Sequence, residues 1–117
     1  MKILNSIKHA LSGIAHVLLE HRNFKTMIFA SIMTVTLGLI LRISSIEWFF
    51  ISWSITTVLL SEMVNTAVEH VIDLIQKKKD LSAKLAKDVA AGAVLISSIW
   101  AALLGAIIFI PKIIELF

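Results

Sequence analysis

Glu62, Asn65 and Glu69 lie at helical spacing inside an otherwise apolar run, Ser61-Glu62-Met63-Val64-Asn65-Thr66-Ala67-Val68-Glu69. A charged side chain at membrane depth costs about 2.5–3.5 kcal/mol on insertion scales. Asp73 follows one turn after Glu69. At 100° per residue, Glu69 and Asp73 fall within about 20° of Glu62, and Asn65 lies about 60° away. One helix face therefore presents three carboxylates and an amide. A polar seam between helices accounts for an Asn, but two buried carboxylates each require a cation, a metal or a proton. Three chemistries remain open for this face: proton abstraction with metal-assisted group transfer, a proton or cation pathway, and a structural seam.

A basic group adjoins this face. Lys77, Lys78 and Lys79 are followed by Lys84, Lys87 and Asp88. Lys side chains pair with phosphates, and carboxylates hold the Mg²⁺ that bridges phosphate oxygens. A polyphosphate fits between the two groups. The plainer reading of Lys77–Lys79 is a topology signal and lipid anchor, whereas Lys87-Asp88 stands at the start of an apolar segment, where a solvated pair is less natural.

The rest of the chain must hold these residues at a membrane. Its 117 residues are 58% hydrophobic, with a mean hydropathy of +0.92, against about 45–50% apolar for an ordinary soluble domain. The length suits one domain. With no cysteine there is no disulfide framework or thiolate metal site. The net charge of +3 gathers at segment ends, where anionic headgroups lie, and no nucleic-acid recognition module is present. Residues 1–20 are too polar for a secretory leader, so no cleavage is expected.

Ile3, Ile7, Leu11, Ile14 and Leu18 recur every three or four positions, which predicts an amphipathic helix over residues 1–22 lying on the membrane surface. His21-Arg22-Asn23-Phe24-Lys25 reads as a polar hinge. An uncharged run predicts a first span over 26–42, with Lys25 and Arg42 snorkelling and Gly38 marking close helix packing. Residues 42–47 read as a turn, 48–75 as a second span, Ser82 as a helix cap, and 89–110 as a third span ended by Pro111-Lys112. Trp48 is expected at a membrane edge, and Trp53 and Trp100 in the bundle or against lipid. Lys and Arg concentrate in the N-terminal segment and the second loop, which places both in the cytoplasm by the positive-inside rule.

The segments Glu62-Met63-Val64-Asn65-Thr66-Ala67-Val68-Glu69 and Ala86-Lys87-Asp88-Val89-Ala90-Ala91-Gly92-Ala93-Val94-Leu95 resemble those of the prokaryotic diacylglycerol kinase family, small integral membrane lipid kinases. The similarity runs from Gly13 to Pro111. Ser45-Ile46-Glu47-Trp48, Thr66 and the ending Gly105–Lys112 are more similar to the undecaprenol kinase branch. The resemblance implies an all-α homotrimer with a surface helix and three spans per chain. It implies ATP- and Mg²⁺-dependent phosphorylation of a lipid hydroxyl in a bacterial plasma membrane, undecaprenol first and diacylglycerol as the alternative. By the same resemblance Glu62 is the general base and Asn65 sits beside the γ-phosphate. Glu69 binds metal, and Asp73, Lys78, Lys79, Asp80, Lys87 and Asp88 serve the nucleotide. The sequence departs from the family where a further metal-binding Glu usually stands three residues before Phe24: here that position is His21, and the Glu is Glu20. Met27 is a second departure. Both Glu20 and His21 are candidate metal ligands; His9, His16 and His70 read as interfacial residues.

Overall fold

Long apolar segments leave the backbone no alternative to internal hydrogen bonding, and four helices result. A computed structural model describes residues 2–75 and 78–117. The helices are α1 (Lys2–Glu20), α2 (Arg22–Leu41), α3 (Ser45–Ile75) and α4 (Leu81–Leu116). The most extensive packing is between α3 and α4; α2 lies against both, and α1 touches α2 and α3. The 36 residues of α4 rise about 54 Å, close to the 56 Å long axis of the molecule.

The apolar stripe of α1 faces outward: Ile3, Ile7, Leu11, Ile14 and Leu18 are exposed, and Val17 is the buried residue of that helix. A helix packed on a domain would bury that stripe; here it stays uncovered, and the polar residues of α1 are exposed as well. The hinge expected over 21–25 contracts to His21, whose extended backbone (φ −110°, ψ 115°) separates α1 from α2. Its neighbours continue the helix because no Pro or Gly stops them.

Helix α2 ends in a left-handed residue, Arg42 (φ 53°), and both the Arg42 and Ile43 N–H groups donate to the Gly38 carbonyl. Gly38 packs against Trp48, and a Cβ there would stand 2.8 Å from the indole; the close packing expected at this glycine is present. The turn expected over 42–47 is shorter, because Ser44 and Glu47 form a capping box. The Ser44 N–H donates to Glu47 Oε1 at 2.9 Å, and the Glu47 N–H donates to Ser44 Oγ at 3.3 Å, satisfying two otherwise free donors at the start of α3. Trp48 packs against the core formed by Ile43, Ile51, Ile108 and Phe109, while Trp53 and Trp100 face outward.

Helix α4 is capped by Asp80, which accepts from the Ala83 N–H at 3.2 Å, and not by Ser82. It also passes through Pro111 to Leu116. Proline removes one donor and crowds the preceding turn, but so near the helix end few bonds are at stake. Lys112 pairs with Glu47 at 3.1 Å, tying that last turn to the start of α3.

Two helices, Arg22–Leu41 and Leu81–Leu116, are long and apolar enough to cross a membrane. The 31 residues of α3 rise about 46 Å, enough length for a span, but this helix carries the polar face.

Candidate active site

The acidic face of α3 turns inward. Glu62, Asn65 and Thr66 are buried, with Glu62 only 4% exposed, and Glu69 is half-buried. The 62–69 stretch is helical throughout, so the Glu62-to-Glu69 spacing of seven residues is two turns and about 10 Å of rise. Asn65 Nδ2 donates to Glu69 Oε1 at 3.3 Å, the i,i+4 contact that helical spacing allows. That bond points the amide of Asn65 towards Glu69. Asn65 Oδ1, Thr66 Oγ1 and Ser54 Oγ are buried without a hydrogen-bond partner among the described residues. A buried acceptor left unpaired costs about 1–3 kcal/mol, which marks Asn65 as a place where a ligand repays binding.

A second group assembles at the junction of α3 and α4. Asp73, Lys78, Lys79, Asp80, Lys84 and Lys87 line a cavity of about 610 Å³, closed by Ile72, Leu81 and Ala83. Its charged lining is four ammonium groups against two carboxylates, a balance suited to an anion. Lys87 Nζ pairs with Asp73 Oδ1 across the two helices. Asp88 pairs with Lys84 at 2.7 Å and stands one step back from the cavity. The Asp80 carboxylate has a structural task as well, the cap of α4. Lys77 of the basic cluster lies outside the described residues. Asp73 is one turn beyond Glu69, about 6 Å along the helix axis, so the buried acidic face and the basic cavity are successive parts of one helix surface.

The metal-ligand candidates at the α1–α2 junction separate. Glu20 is exposed and joins no ion pair among the described residues. His21 is half-buried and meets His16 and His70, whose rings the sequence reading assigned only to the interface. No sequence signal linked these two, because they lie 54 positions apart on different helices.

A model of the prokaryotic diacylglycerol kinase family matches residues 8–109. Undecaprenol kinase from Bacillus subtilis is 37% identical over 112 residues, covering 96% of this chain and 91% of that protein. Diacylglycerol kinase from Synechocystis is 33% identical over 116 residues, covering 97% of this chain and 66% of that protein. The matched region contains the acidic face of α3, the basic cavity, α2 and most of α4, the two helices able to cross a membrane. The chain therefore belongs to the prokaryotic diacylglycerol kinase family and is a membrane-bound lipid kinase.

Proposed function

We propose that the protein transfers the γ-phosphoryl group of ATP to undecaprenol. The observation that carries this reading is the continuity along α3 between a buried carboxylate–amide face and a basic cavity. The fuller coverage and higher identity of the undecaprenol kinase relative support the polyprenol over diacylglycerol.

In the proposed reaction Glu62 accepts the proton of the lipid hydroxyl. The lipid oxygen forms a bond to the γ-phosphorus, the bond from that phosphorus to the β–γ bridging oxygen breaks, and ADP leaves. Asn65 orients the γ-phosphoryl group. Lys78, Lys79 and Lys87 gather the phosphate chain, Asp73 holds the Lys87 ammonium in place, and Asp88 steadies Lys84. The buried, unpaired Asn65 Oδ1 beside the Glu69 carboxylate is an oxygen donor set of the kind Mg²⁺ takes. Glu69 and Asn65 fit that ion; the nitrogen ligand of His21 does not, and Glu20 is turned to solvent. Bound Mg²⁺ supplies neutralisation of the phosphate charge.

Three spans per chain are part of this reading: α2, α3 and α4 cross the membrane, and α1 lies on its cytoplasmic face with the active site. The organisation is a homotrimer in the bacterial plasma membrane, as the family resemblance implies, since three spans of one chain enclose a site poorly. An ion pathway through the same carboxylates is the competing outcome. Glu62→Gln, purified and assayed with ATP and each lipid, tests the assignment. Loss of about 10²–10⁴-fold in turnover is expected for a missing general base. Full activity in that variant sinks the role of Glu62, a preference for diacylglycerol sinks the substrate, and ion leak in proteoliposomes without ATP turnover sinks the kinase reading.

A further inference from the structure

His16, near the end of α1, His21, between α1 and α2, and His70, on α3, converge from three separate parts of the chain. One ring nitrogen from each lies within 4.8 Å of the others. The ring centroids form a nearly equilateral triangle of 6.0, 5.7 and 5.7 Å, and the rings are inclined to each other by 67°, 61° and 72°. Inclined rings of this kind surround a point; they do not stack. Among the described residues none of the three side chains makes a hydrogen bond, so the nitrogens are uncommitted. Three of the four histidines in the chain occupy this one place.

We infer that His16, His21 and His70 form a binding site for a borderline divalent metal ion of the Zn²⁺ type, with the remaining position open to water. Imidazole is the ligand that such ions favour, and Mg²⁺ takes oxygen instead. Tetrahedral ligation with Zn–N bonds of about 2.0–2.1 Å places ring centroids roughly 5 Å apart. Each ring therefore moves inward by less than ~1 Å to close the site. The ligand set is distinct from the oxygen donors assigned to Mg²⁺ at Glu69 and Asn65. Its consequence is mechanical: α1, whose apolar stripe is exposed, becomes tied to the start of α2 and to α3 one residue from Glu69.

The inference stands apart from the kinase reading, and metal binding measures it without catalysis. Tag-free protein in detergent, stripped with a chelator, is titrated with Co²⁺ and then with Zn²⁺. One Co²⁺ per chain with the intense visible bands of tetrahedral coordination is expected, displaced by Zn²⁺ and unaffected by excess Mg²⁺. His16→Ala and His70→Ala, on different helices, each weaken binding by at least the roughly 10–100-fold that loss of an outer-shell partner costs. His9→Ala and Glu69→Gln leave it unchanged. A weak octahedral spectrum, binding in the two histidine variants undiminished from the wild type, or loss of binding in Glu69→Gln overturns the site. Wild-type protein that binds Co²⁺ in this way but phosphorylates no lipid refutes the kinase reading alone; active protein without such binding refutes the metal site alone.

Discussion

Lys87 and Asp73 join α4 to α3 at the mouth of the basic cavity, yet their side chains are 38% and 64% exposed. An exposed ion pair contributes about 0–1 kcal/mol to stability, so the value of this one lies in where it places the ammonium. Lys87→Met is expected to leave the unfolding midpoint nearly unchanged while lowering kcat/KM for ATP by roughly 10-fold or more, the scale of one lost charge-assisted phosphate contact. A variant that loses stability and keeps its ATP dependence would falsify the phosphate role. The acidic face of α3 was legible in sequence because carboxylates in an apolar run carry an obvious energetic cost. The histidine triangle was not, since contact across three chain segments leaves no local period. Asp80 and Ser82 are both able cap residues two positions apart, and only the fold decides between them.

At the scale of elements, the turn between α2 and α3 combines three devices within eleven residues: the Gly38–Trp48 contact, the left-handed Arg42 and the Ser44–Glu47 capping box. Gly38→Ala places a methyl where the indole now lies. Trp48 is held by the core around Ile43 and Ile51, so the ring has little room to yield, and a loss of about 1–3 kcal/mol is expected for such overpacking. Denaturant titration in mixed micelles measures it; an unchanged midpoint refutes the rigid contact. The Ser44 backbone N–H, and secondarily Lys112, hold the Glu47 carboxyl below its ordinary value of 4.5. A lowered native pKa means that the contribution of Glu47 is complete above about pH 4.5 and is lost as the pH falls through the native value. The thermal midpoint of the wild type should therefore fall more steeply below pH 4.5 than that of Glu47→Gln; parallel acid limbs exclude the effect. The S-x-x-E signal at residues 44–47 was present in the sequence, and the small polar residues beside it suggested a longer turn. Pro111 misled in the opposite sense: a stop signal is overridden when the following turn is anchored, here by Lys112 on Glu47.

At the scale of the whole molecule, the apolar surface gives the orientation its test. Large apolar side chains are exposed along all four helices, as expected where lipid or neighbouring chains take the place of water. On α1 every residue but Val17 is exposed, yet the apolar residues gather in one stripe: Leu11 lies in it, and His9, two residues earlier, is about 200° away around the helix. If α1 rests on the membrane, its two faces meet different solvents although they are only about 10 Å apart. The natural absence of cysteine allows a single spin label at either position without background. In liposomes a label at Leu11→Cys is expected to be quenched mainly by oxygen, which concentrates in lipid, and one at His9→Cys mainly by a water-soluble nickel chelate. Strong chelate access at both positions would remove α1 from the membrane surface. Oxygen dominance at both would bury the helix more deeply than a surface helix allows.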